Sequence, residues 1–212
     1  MILYSLANAQ ALSRENEFPE TACRPFDTSA KGFVMGEGGG ALMLETESHA
    51  KARGAQIRAE LAGWANNNDA WHVTSPMDGG IRSAECMKKA LEKAELSPDD
   101  IDHINAHGTG AKKGDIAEAQ AMRDVFGDKG PAISATKAAT GHMMGGGGIT
   151  EAIACIKAIE TGILPPTLNL KEAVLDLDFV TGARNEAKID TAMSNAFGFG
   201  GQNSTLIFRR YR

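Results

Sequence analysis

A chain of 212 residues with 42% hydrophobic content can bury a core and suits one or two domains. Acidic residues outnumber basic ones, 27 to 22, leaving a net charge of −5, so nothing favours nucleic acid as a partner. No run reaches transmembrane length.

The N-terminal stretch, Met1 to Ala11, lacks the basic start and cleavage pattern of a signal peptide. Ile2–Leu12 reads as a helix with a small-residue face, Ser5, Ala7, Ala9 and Ala11, suited to close packing. A polar loop runs from Ser13 to Pro25. Gly32–Leu44 predicts two strands joined by a glycine bend, the second (Ala41–Leu44) fully buried. Glu47–Arg53 is a short helical turn and Gln56–Trp64 a strand. An alternation of helices and strands follows. Ile81–Ala94 is a helix with Ile81, Ala84, Met87, Ala90 and Leu91 on one face, and Ser97–Asp100 is a turn. Ile101–Ala106 is a strand, Asp115–Phe126 a helix, Pro131–Ala135 a short strand and Ile149–Glu160 a buried helix. Pro165-Pro166 marks an extended segment. Thr191–Asn195 and Thr205–Phe208 are strands flanking a glycine-rich loop. This alternation predicts an α/β layer structure with its chemistry at the carboxyl ends of strands. The first segment reads as the tail of a layer begun earlier, as if the chain starts in mid-architecture.

Polar residues beside glycines mark the candidate chemistry. His107 ends a predicted strand and enters a Gly-Thr-Gly turn, which suits proton transfer or hydrogen-bond donation; the plain alternative is a histidine capping a strand end. His142 precedes the glycine run Gly145–Gly148, where close helix packing competes with anion binding; the lysine and hydroxyl of a phosphate loop do not follow. Lys137 is expected to pair with Glu151 in a buried, fixed ion pair. The two histidines with Asp115 or Glu151 are weighed as a zinc set, but no tight ligand spacing exists, and no metal is expected. In Phe197-Gly198-Phe199-Gly200-Gly201, two aromatics between glycines suit an apolar channel, a gate or an oxyanion donor, with a glycine-rich strand bend as the alternative. The odd count of three scattered cysteines, Cys23, Cys86 and Cys155, argues against a disulfide framework and for a reducing, cytoplasmic setting. None sits in a recognisable nucleophile motif, and Cys86 and Cys155 read as buried small hydrophobes.

Taken together, Arg24-Pro25-Phe26-Asp27, Gly32-Phe33-Val34 through Gly38, Asp69–Pro76, Asn105-Ala106-His107-Gly108-Thr109, Thr136-Lys137, Thr140-Gly141-His142 and Asn195–Gly201 span almost the whole chain in order. The chain resembles the β-ketoacyl-[acyl-carrier-protein] synthases of the thiolase-like family, with Asp69–Pro76 pointing to the elongating class. The resemblance implies an α/β thiolase-like C-terminal half, a mixed sheet with helices on both faces, plus the last helix and strand hairpin of the N-terminal half. The expected division is 1–55, the tail of that half, and 56–212, the C-terminal half.

The resemblance further implies a decarboxylative Claisen condensation of malonyl-carrier with an acyl thioester. His107 and His142 would donate hydrogen bonds to the malonyl thioester carbonyl, and Lys137, supported by Glu151, would organise the site. Phe199 would gate it and lend its backbone N–H to an oxyanion hole, beside Phe197. Thr109 would contact the phosphopantetheine arm of an acyl carrier protein; no cofactor resident in the chain itself is expected. The family's nucleophilic cysteine lies in a segment that the chain is expected to lack, to be supplied by another polypeptide in an assembly of halves, a heterodimer. The alternative is a non-catalytic, chain-length-determining or structural partner of a ketosynthase. This chain departs from the family in Gly110-Ala111-Lys112-Lys113 after the His-Gly-Thr string, where two lysines suit an acidic carrier. It departs again in Ala30-Lys31 and in the glycine run 145–148.

Overall fold

The computed structural model describes residues 2–182, 184–185 and 188–212; Met1 lies outside them. A five-stranded mixed sheet forms the centre. Its strands are β1 (Glu60–Asn68), β2 (His103–Asn105), β3 (Ala132–Ser134), β6 (Thr191–Gly198) and β7 (Gln202–Arg209), in the order β1-β7-β6-β2-β3. β2 runs parallel to both β3 and β6, and β7 is antiparallel to β6 and β1. A separate pair, β4 (Ile163–Leu164) and β5 (Arg184–Asn185), is antiparallel. The helices are α1 (Ile2–Asn8), α2 (Glu47–Ala52), α3 (Ile81–Ala94), α4 (Lys112–Phe126), α5 (Lys137–Thr140) and α6 (Gly147–Thr161). Among the described residues no helix is long and apolar enough to cross a membrane.

Side chains alternate across a strand, and that alternation divides the core in two. Ile104, Ile133, Met193 and Ile207 pack with Met87 and Leu91 of α3 and Met122 of α4. Their neighbours Ala132, Ala192 and Phe208 pack with Ala152, Cys155 and Ile159 of α6. Helices thus cover both faces. α3 fits its place because Ala84, Met87, Ala90, Leu91 and Ala94 recur at helical spacing and are all buried; it stops where Glu95 turns left-handed at φ 55°. The chain passes from β2 to β3 through α4 and from β3 towards β6 through α6, on opposite faces. Strand β2 therefore lies at a topological switch point, where open sheets hold ligands beyond their carboxyl ends.

The first fifty residues depart from expectation in three ways. Helix α1 ends at Asn8, short of Leu12, and buries Leu6 while its small residues stay exposed. The expected hairpin in Gly32–Leu44 is absent from the described residues. Phe33 and Met35 make isolated bridges, to Leu12 and His142, and Ala41–Leu44 joins no strand among the described residues: Leu42 packs on the core while Met43 is 83% and Leu44 68% exposed. An apolar run earns a buried strand only where a neighbour offers a ladder. Finally, the segment is no appended tail. Gly32 N–H donates to Gly110 O (2.9 Å), His142 N–H to Val34 O (2.7 Å), and Phe26 N–H to the Asp115 carboxylate (2.7 Å). The picture of a C-terminal half carrying a remnant is corrected accordingly: both parts build one α/β body.

Candidate active site

Three loops leave the carboxyl ends of the three mutually parallel strands. β2 leads into His107, β3 into Lys137, and β6 ends at Phe197-Gly198 before the turn that holds Phe199. Lys137 lies at the centre. It is 1% exposed, and its ammonium donates to the Glu151 carboxylate and to the backbone O of His107, with His107 Nδ1 at 3.4 Å. An ammonium has only hydrogens to give, so Nδ1 accepts and the proton of the His107 ring sits on Nε2. Glu151 Oε2 and Asn105 Oδ1 are buried acceptors with no hydrogen-bond partner among the described residues.

His142 is set by the same logic. Its Nδ1 accepts from Met144 N–H (3.2 Å), which places its proton on Nε2 as well. Its ring stands edge-on to His107, centroids 5.5 Å apart at 83°, and edge-on to Phe33 at 4.9 Å; the Phe197 ring also lies beside His107, tilted at 57° with centroids 5.8 Å apart. Burial and the Lys137 charge both disfavour imidazolium. They hold His142 down at about 4 and His107 well below the ordinary histidine range, so both rings are neutral N–H donors at neutral pH.

Backbone contact fixes His142 from below. Gly36 and Gly141 press together so closely that a Cβ on Gly141, at φ +70°, would stand 2.7 Å from Gly36 Cα. Gly141→Ala is expected to lower stability by about 2–3 kcal/mol in chemical denaturation, because it combines left-handed strain with a backbone collision.

Two carboxylates on α4 hold the His107 turn. Glu118 accepts from the N–H groups of His107 and Gly108 (both 2.8 Å); Asp115 accepts from Thr109 (3.0 Å), Gly110 and Phe26. Burial pushes them up, to about 7 and about 6, against the pull of those backbone donors. Asp115 and Glu151, weighed in the sequence as metal ligands, are thus committed to backbone N–H groups and to Lys137. Glu118 was not anticipated. Its signal was the Asp115-Ile116-Ala117-Glu118 spacing, which puts both carboxylates on one helix face immediately after the glycine turn.

Of the residues singled out in the sequence, His107, His142, Lys137, Glu151 and Phe197 converge. Thr109 is buried at the margin, its hydroxyl accepting from Ala111 N–H (3.1 Å). Phe199 is 44% exposed on the β6–β7 turn. That turn is pinned to the loop after β1: Gly200 N–H donates to Val73 O (2.6 Å), Asp69 N–H to Gly201 O (2.8 Å), and Asn203 Nδ2 to Asp69 Oδ1 (2.6 Å). The three cysteines are free and buried, their thiols turned to backbone carbonyls of Thr109, Ala65 and Met193. Burial raises Cys23 to about 11 and Cys155 to about 12, and raises Cys86 too, so all three stay protonated thiols rather than nucleophilic thiolates.

Residues 58–171 match the family "Beta-ketoacyl synthase, C-terminal domain", and residues 1–50 match "Beta-ketoacyl synthase, N-terminal domain". The 3-oxoacyl-[acyl-carrier-protein] synthase 2 of Mycobacterium bovis is 44% identical over 202 residues, 94% of this chain and 48% of that protein. The crystal structure of a β-ketoacyl synthase from Burkholderia phymatum superposes with a TM-score of 0.95 at 41% identity, covering 100% of this chain and 52% of the other. A type II polyketide synthase acyl-carrier protein in complex with its ketosynthase, bound to a hexaketide (AntDE:AntF), superposes with a TM-score of 0.94 at 36% identity, covering 99% of this chain and 53% of that one. The chain belongs to the β-ketoacyl synthase family and carries the thiolase-like α/β fold. It spans about half the length of the curated relatives it matches. The expectation of a C-terminal part alone is overturned by the match of residues 1–50 to the N-terminal domain and by superposition along the whole chain. The motifs Arg24–Asp27 and Gly32–Gly38, taken in the sequence for a tail, lie inside that first match.

Proposed function

We propose that this chain provides the decarboxylating half-site of an elongating 3-oxoacyl-[acyl-carrier-protein] synthase. The observation that supports it most is the pair of neutral imidazoles, 5.5 Å apart, each with Nδ1 engaged and Nε2 carrying the proton. Two such N–H donors suit a malonyl thioester oxygen. As the bond to the carboxylate breaks and carbon dioxide leaves, its electron pair moves onto the thioester as an enolate, whose negative oxygen both donors stabilise. The enolate carbon then attacks an acyl thioester, forming the new carbon–carbon bond and expelling a cysteine thiolate. Lys137, held by Glu151, keeps His107 aimed. Phe197 walls the site, Phe199 gates it and lends its N–H to the acyl-cysteine step, and Thr109 meets the pantetheine arm.

In this reading the cysteine lies outside these 212 residues, because the three present are buried, protonated thiols. A second ketosynthase-fold chain supplying it, in a cytoplasmic heterodimer served by an acyl carrier protein, is the partner we propose; the exposed apolar side chains of Met43 and Leu44 support such a contact. The division at residue 55 falls between the two matched stretches, which supports it. Carbon dioxide release from malonyl-carrier, assayed on the co-purified assembly with and without an acyl donor, tests the reading. Release coupled to 3-oxoacyl product is expected; no release from the assembly with an acyl donor present would sink it, and release without product would indicate the chain-length or decarboxylating partner instead.

A further inference from the structure

We propose that Thr167 is a positioning residue for Lys137: its hydroxyl fixes the exit of β3 from which the lysine departs. The inference rests on the reading of Lys137 and His107 as the reaction centre. Among the described residues β3 is an edge strand, and its outer backbone groups need partners from outside the sheet. The segment 167–180 supplies them. Ile133 N–H donates to Asp178 O (2.8 Å), Val180 N–H to Ile133 O (2.8 Å), and Phe179 bridges Ile133 in parallel. At the next outward-facing N–H, that of Ala135, the partner changes from backbone to side chain: it donates to Thr167 Oγ1 at 3.0 Å, wholly buried. Thr167 is itself 1% exposed and anchored through its own N–H to Val180 O (2.6 Å).

Two residues after Ala135 stands Lys137. On the inner edge of β3, Ala106 N–H donates to Ser134 O (2.8 Å), immediately before His107. The end of β3 is therefore gripped on both edges, by the strand that carries His107 and by Thr167. Between these grips the backbone has one course, and it carries the ammonium to His107 Nδ1. Without the hydroxyl, the Ala135 amide is buried and unpaired, and the strand end must shift to find an acceptor.

The test uses the full chain, 15N-labelled at histidine, with Thr167→Val, Thr167→Ser and, as a stability-matched control at the far end of α4, Val125→Ala. Thr167→Val is expected to lower the melting temperature by about 5 °C and to move the His107 Nδ1 resonance towards that of an unbonded imidazole. Thr167→Ser should restore the resonance, and Val125→Ala should leave it in place. If Thr167→Val loses stability while its His107 signals match those of Val125→Ala, Thr167 merely packs and the proposal fails. If Thr167→Val does not fold, hydrogen exchange on the unaltered chain decides: a slowly exchanging Ala135 amide supports the latch, a rapidly exchanging one overturns it. Absence of carbon dioxide release would count against the proposed reaction, while the ring signals of His107 would still decide the role of Thr167 separately.

Discussion

Lys137→Ala is expected to remove about 3–5 kcal/mol of stability. The ammonium and Glu151 are 1% and 2% exposed, and each is the other's charge partner. Truncating the lysine leaves a buried carboxylate whose Oε2 has no hydrogen-bond partner among the described residues and whose Oε1 loses its ammonium. It also strips the donor from His107 Nδ1 and from the His107 backbone oxygen. Urea denaturation with matched slopes measures the loss. The companion variant Lys137→Met with Glu151→Leu removes both charges and should recover part of the stability, because an apolar pair of similar volume no longer needs solvation while the His107 backbone oxygen still lacks its donor. Catalysis should not return with it, since the ring of His107 then lacks what holds its tautomer. Single and double variants equally unstable would show that the pair acts through packing rather than charge.

The second large effect concerns rate. His142→Ala should slow carbon dioxide release from malonyl-carrier by about 10²–10³-fold, the usual consequence of removing one donor from a developing oxyanion. Stability should change little by comparison, because the ring is only partly buried. The pH dependence carries the sign. Both histidines have folded-state values below the ordinary 6.5, so they stay neutral as pH falls through 6 and 5, and protonate only near 4 for His142. Between pH 6.5 and 4 the unfolded chain takes up protons that these folded rings refuse, so their contribution to stability is present above that window and lost on acidification through it. The rate should accordingly show no histidine inflection near 6.5. Glu118 and Asp115, pushed up to about 7 and about 6, titrate in the same window, so the ring signals of His107 and His142 decide: imidazole protonation near 6.5 would mean that the rings are ordinary and that the neutral-donor geometry is wrong.

The legible part of the fold was its second half. From Ile81 onward, helical and strand periods alternate cleanly, and the structure places α3, β2, α4, β3 and α6 within a few residues of the expected spans. His107 stood out because it ends a predicted strand and enters a glycine turn, and Lys137 because it follows the next short strand; the structure brings the two side chains together. The first half misled because local patterns do not state what faces them. Ala41–Leu44 is as apolar as a core strand, yet whether it is buried depends on a ladder partner elsewhere. Asp115 was weighed only as a spare ligand for a zinc set that its spacing did not favour, because a carboxylate's residue type does not tell that three backbone N–H groups will meet it. Glu118 went unnoticed for want of that geometry, and the proton positions on His107 and His142 depend on an ammonium and on a main-chain amide that no side-chain motif announces.

The parallel pairing of β2 with β3 and β6 also sets an order of events during folding. Ile104 of β2 lies beside Ile133 of β3 and Met193 of β6, contacts that span about thirty and ninety residues of chain. Closing loops of that size comes late and costs entropy before any contact rewards it. Helices such as α3 can form early from local interactions. The cluster of His107, Lys137 and Phe197 can exist only after the last of these strands has joined, so an incompletely folded molecule holds no partial version of it to react with a thioester prematurely.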